Sequence, residues 1–119
     1  MKTTKDFGNK GEDLAATFLL ENGYTILERN YIFQKAEVDI IAQKDDVIVA
    51  VEVKTRSTKA FGDPQDFLKP KQIQRIVKAM DNYVVCEHID AEVRFDIIAI
   101  INSDKTIEIE HLQNAFYHF

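Results

Sequence analysis

The apolar positions of this chain follow two periods, one helical and one extended. From about Gly11 to Asn22, Leu14, Ala15, Phe18 and Leu19 recur at three- and four-residue spacing. That spacing predicts an amphipathic helix, for which Gly23 supplies the stop. "YTILERNYIF" reads as a strand rich in aromatic and β-branched residues, and "AEVDIIA" and "VIVAVEVKT" as two more strands. The polar turn "QKDD" between the last two makes them a hairpin. "RSTKAFGDPQD" carries the glycine and proline punctuation of a break. Ile73, Ile76, Val77, Met80 and Val84 mark a second amphipathic helix from about Lys71 to Val85. "VRFDIIAII", a turn at "NSDK" and "TIEIEHL" close the chain. The predicted order is α-β-β-β-α-β-β, an α/β fold with a mixed central sheet flanked by helices.

The hairpin carries charge where the pattern builds a core. Strand side chains alternate between faces, so Glu52 and Lys54 share a face with Ile48 and Ala50, and Val49, Val51 and Val53 take the other. By the same rule Glu37, Asp39 and Ile41 share a face. A four-residue loop at Gln43–Asp46, with Ala42 opposite Val47, places Asp39 opposite Ala50 and Glu37 opposite Glu52. Asp39 and Glu52 are then diagonal neighbours, with Lys54 next along. Carboxylates gathered this way repel and lose hydration unless something compensates. Carboxylate oxygens from two strands suit a hard divalent cation such as Mg²⁺ or Mn²⁺, and a neighbouring lysine suits a phosphate or an attacking water. The same alternation also suits a solvated face on which Lys54 pairs with Glu52 or Glu37. The apolar opposite face, with Ile41 and Ile48 on the charged one, argues for a central strand.

The 119 residues are the size of one compact domain, with 45% apolar and 29% charged positions. The polar N-terminus lacks the apolar core of a secretory signal, and no apolar run is long enough for a membrane span. A cytoplasmic protein is the expectation, and a single Cys86 fits it as a core residue. His88, His111 and His118 show no metal-ligand spacing and read as surface or structural residues. No glycine-rich phosphate loop appears, and nothing supports a Ser or Cys nucleophile.

The net charge of −5 argues against a large nucleic-acid surface. Between Lys54 and Lys78, however, seven basic residues stand against Asp63 and Asp66, so this window carries +5 and the rest −10. On charge alone, a solvated helix face with spare lysines is the favoured account of that excess.

"EVDIIA…VAVEVKTR" resembles the core motif of the PD-(D/E)XK nuclease superfamily. "GNKGEDLAATFLLENGYTILERNY", "AEVDIIA", "VEVKTR" and "RFDIIAI" are similar to the YraN-like family, itself similar to archaeal Holliday junction resolvases. The resemblance covers nearly the whole chain and implies a restriction-endonuclease-like core. It implies a metal-dependent endonuclease hydrolysing phosphodiesters in DNA, branched or junction DNA included, and a homodimer that cuts two strands symmetrically. Carried over by position, Asp39 and Glu52 are metal ligands, Lys54 is the catalytic lysine, and Glu12 brings a further acid to the site. Glu37 supports them, through a second metal or by holding Lys54. Arg56, Lys71 and Arg75 are candidates for phosphate contacts. Ala36 stands where a glycine often precedes the acidic position, and Val38 where the superfamily name has Pro. The acidic total also sets the chain apart from strongly basic resolvases. Two other readings remain open: a nuclease scaffold that binds nucleic acid or protein without cutting, and a nuclease directed at RNA.

Overall fold

The computed structural model describes residues 4–56, 68–103 and 106–115. Its elements are α1 (Thr4–Glu21), β1 (Thr25–Phe33), β2 (Ala36–Lys44), β3 (Val47–Arg56), α2 (Pro70–Cys86), β4 (Glu92–Ser103) and β5 (Thr106–Leu112). The order is the predicted one. The break at "RSTKAFGDPQD" lies, after Arg56, outside the described residues, as does His118.

The strands form one mixed sheet in the order β1-β2-β3-β4-β5. Only β3 and β4 run parallel, because α2 carries the chain back between them. The sheet is covered on both faces. Against one, α2 packs Ile76, Ala79, Met80 and Tyr83 onto Val38, Ile41, Ile48, Ala50, Phe95 and Ile97. Against the other, α1 packs Ala15, Ala16 and Leu19 onto Ile40, Ala42, Val49, Val51, Ile98 and Ile100. With Ile48, Val49, Ala50 and Val51 all at most 1% exposed, β3 is the central strand that its apolar run predicts.

α1 starts well before the predicted Gly11, which lies inside the helix. A Cβ there would collide with the Thr55 side chain, so glycine lets α1 approach β3 closely despite its cost to a helix. Gly23 does end α1, with φ +87°, while the Tyr24 amide donates to the Leu19 carbonyl at 3.0 Å. Cys86 corrects an expectation. It is exposed rather than buried, three residues beyond Tyr83, the last buried residue of α2. His111 is structural: its Nε2 lies 2.7 Å from Oδ2 of Asp96, which is fully buried. Asp96 also receives Arg94 through two hydrogen bonds, of 2.8 and 2.9 Å, and the Asn114 amide at 3.0 Å. Burial alone would raise the Asp96 carboxyl, but these partners together hold it below its ordinary value.

Candidate functional site

The β2–β3 hairpin turns in two residues, Asp45 and Asp46, with Lys44 opposite Val47 and Asp45 at φ 54°. Aspartate tolerates that left-handed conformation, so the shorter turn replaces the expected four-residue loop. The register therefore moves by two, and Ala42 pairs with Val49 and Ile40 with Val51. One step further, Asp39 comes level with Glu52 instead of with Ala50. The paired register stops at Ile40–Val51. Beyond it the Val53 amide donates to Asp39 Oδ2 at 2.8 Å, so a carboxylate takes the place of a strand carbonyl.

β2 also changes sides at this point. Val38 belongs to the core under α2, whereas Ile40 belongs to the core under α1. Ile41 then faces α2, so Glu37, Asp39 and Ile41 do not share one face as strict alternation requires. β1 makes a matching change: Tyr31 packs under α2, but Arg29 reaches α1. Between them Asn30 has φ 55°, a conformation that asparagine accepts more readily than most residues.

This irregularity gathers acids at one end of the sheet. Asn30, its amide nitrogen assigned toward the carboxylates, donates to Glu12 Oε1 at 2.9 Å and to Glu37 Oε1 at 3.1 Å. Arg29 Nη2 lies 2.8 Å from Asp13 and 4.0 Å from Glu12. Lys54 Nζ lies 3.7 Å from Glu52 Oε1. Arg29 and Asn30 escape a reading of the sequence, although an asparagine inside an otherwise strand-like run is the available signal.

The electrostatics follow from burial. Glu52 is 8% exposed; burial and then the Asp39 charge push its carboxyl up to about 8, while Lys54 pulls the other way. Asp39 is raised as well, by burial first, against the Val53 amide. Glu12 is raised by burial and next by Asp39, with Arg29 opposing. With Asp39 and Glu52 both ionised, Glu52 Oε2 is buried and no donor reaches it among the described residues.

Asp39 and Glu52 open into a cleft of about 500 Å³, lined also by Glu37, Lys35, Lys69, Lys71, Arg75 and Ile76 among others. The expected Lys71 and Arg75 thus border the same space as the acids. Arg56 does not line it and donates through Nη1 to the Thr55 carbonyl at 2.9 Å. Glu12 stands behind the lining, linked to Glu37 through Asn30.

Two carboxylates from adjacent strands, one with an oxygen that no donor reaches among the described residues, fit Mg²⁺ or Mn²⁺. Among the described residues, no three acidic, histidine or cysteine side chains are grouped to hold a metal by themselves. Mg²⁺ is commonly held by one or two carboxylates, with waters and substrate phosphate oxygens completing the shell.

The fold and this cleft define an α/β protein whose element order matches the nuclease-like core expected from the sequence. A family model described as Uncharacterised protein family UPF0102 matches residues 11–100. The chain belongs to that family. It is 56% identical over 119 residues to a UPF0102 protein of Flavobacterium psychrophilum, covering the full length of both chains. A UPF0102 protein of Christiangramia forsetii is likewise 56% identical over its full length. One from Phocaeicola vulgatus is 39% identical over 117 residues, 98% of this chain and 97% of that one. No helix among the described residues is long and apolar enough to cross a membrane.

Proposed function

We propose that this chain hydrolyses phosphodiester bonds in DNA, branched DNA included, at the Asp39–Glu52 pair with Mg²⁺ or Mn²⁺. The observation that carries the proposal is Glu52 Oε2, a buried carboxylate oxygen that no donor reaches among the described residues, beside Asp39 at the floor of a cleft with a cationic wall. A buried acid pair of this kind costs stability when ionised, and a cation between the carboxylates offsets that cost.

Each residue has a physical role. Asp39, fixed by the Val53 amide through Oδ2, keeps Oδ1 available for a metal. Glu52 supplies the second ligand once its proton leaves. A divalent cation held by Asp39 and Glu52 would supply Lewis acidity toward the attacking water and the phosphate. Lys54, held beside Glu52, is positioned to orient the attacking water and to balance charge developing on phosphorus. Glu12 and Glu37, tied through Asn30, hold the acidic wall in place and add negative potential that favours a cation. Lys71 and Arg75 neutralise phosphates and position the backbone without reading sequence. In the reaction water oxygen bonds to phosphorus, the bond to the leaving oxygen breaks, and that oxygen takes a proton.

The test is to incubate purified protein with junction, flap and single-stranded substrates plus Mn²⁺, beside Asp39→Ala and Glu52→Ala. Wild type cuts at least one substrate, and each substitution slows cutting by about 100-fold or more. Cleavage that survives both substitutions overturns the site assignment. Binding without cleavage by wild type favours a binding module instead.

A further inference from the structure

We infer that a single nucleic-acid strand leaves the Asp39–Glu52 cleft through a cationic groove between the tip of the β1–β2 hairpin and the outer face of α2. The inference rests on the nucleic-acid reading above and extends it from a cleavage point to a path and a substrate class.

A second cavity, of about 260 Å³, adjoins the first and shares Lys35, Ala36 and Arg75 with it. Phe33, Gln34 and Lys78 complete its lining. The two cavities follow one line along α2, since Lys71, Arg75 and Lys78 recur at four- and three-residue spacing and so occupy one stripe of the helix. Across from them, Lys35 sits on the two-residue turn that joins Phe33 to Ala36, with Gln34 at φ 57°. Lys35, Lys69, Lys71, Arg75 and Lys78 are all exposed, and none of them pairs with an acid among the described residues. In a chain of net charge −5, these five cations gather around two joined cavities, the second lined by no acid among the described residues, and form a local field that attracts a polyanion.

The dimensions favour one strand. Cavities of about 260 and 500 Å³ are the size that receives small ligands, whereas a duplex presents a groove about 12 Å wide and a still wider body. Phe33 lines the far cavity, and an aromatic surface beside a cationic track is the combination that holds unpaired bases by stacking. The substrate class is therefore nucleic acid with an unpaired arm next to the cleavage position.

The test measures anisotropy of a labelled 15-nucleotide oligothymidine and of a blunt duplex of equal length, in EDTA. Lys35→Glu and Lys78→Glu are compared with Lys10→Glu, which changes net charge equally but lies on α1, across the sheet. Each groove reversal weakens single-strand binding about 10-fold, and Lys10→Glu weakens it about 2-fold or less. Lys35→Gln plus Lys78→Gln lowers the salt slope by about 1.4, the value for two phosphate contacts on a single strand. Equal weakening by Lys10→Glu, or equal loss for the blunt duplex, overturns the path. An oligonucleotide that the groove holds but that stays uncut with Mn²⁺ overturns the cleavage reading alone. Cutting with unchanged affinity in both groove reversals overturns the path alone.

Discussion

The Val53 amide donates to the Asp39 carboxylate at 2.8 Å, where a strand carbonyl would ordinarily stand. This bond closes the register of the β2–β3 hairpin and fixes one acid of the pair, while one oxygen of its neighbour Glu52 meets no donor among the described residues. The backbone anchors one carboxylate of the pair, and burial raises the other.

The raised Glu52 carboxyl makes folding depend on pH. Its proton leaves near 4.5 in the unfolded chain and near 8 in the folded one, so the folded chain holds more protons between those values. Its contribution to stability is full below about pH 4.5 and is lost as pH rises through 8. Asp96, held below its ordinary value, acts oppositely, and only in acid. Thermal melts of wild type and Glu52→Gln without divalent ions read this contribution. The variant gains on wild type steadily from pH 5 to 8.5; a constant difference contradicts the shift.

Arg94 and Asp96 form a pair whose value depends on burial. Asp96 is fully buried, so Arg94→Ala strips its bidentate partner and costs about 3–5 kcal/mol in urea unfolding. The Arg29–Asp13 pair is equally short at 2.8 Å, but Asp13 is 67% exposed. Asp13→Ala therefore costs about 1 kcal/mol or less. Similar costs for the two would refute the assigned role of burial.

Gly11 and Thr55 are coupled by contact. Gly11→Ala destabilises by about 1 kcal/mol or more, because the new methyl meets the Thr55 hydroxyl. In a Thr55→Ala background the same change becomes stabilising, toward the roughly 1 kcal/mol that alanine gains over glycine in a helix. A double-mutant cycle by denaturant titration reads the change of sign.

How far the sequence carries the fold is clearest at the hairpin. An error of two residues in a strand register leaves every side chain on its original face. The placement of Glu52 with Ile48 and Ala50 thus survived a wrong turn length, whereas the partner of Asp39 did not. Asp45 hid the short β2–β3 turn because its left-handed conformation costs little and leaves a faint trace in residue type. The change of sides at Asp39 and Asn30 depends on two strands bending together, which periodicity in one strand does not express. Lys35 joins the cationic wall for a similar reason: a turn brings it beside residues far along the chain. The resemblance to nucleases supplied Glu12, but its tie to Glu37 needed the position of Asn30.

The central claim is that Asp39 and Glu52 hold a divalent cation, and calorimetric titration with Mn²⁺ at pH 7 in buffers of different ionisation enthalpy tests it most directly. Glu52 carries its proton at that pH and must release it to become a ligand. Wild type takes up Mn²⁺ with release of about one proton per ion, the release fades by pH 9, and Asp39→Asn and Glu52→Gln lose the binding. Absence of uptake by wild type, or undiminished uptake by Glu52→Gln, would contradict it.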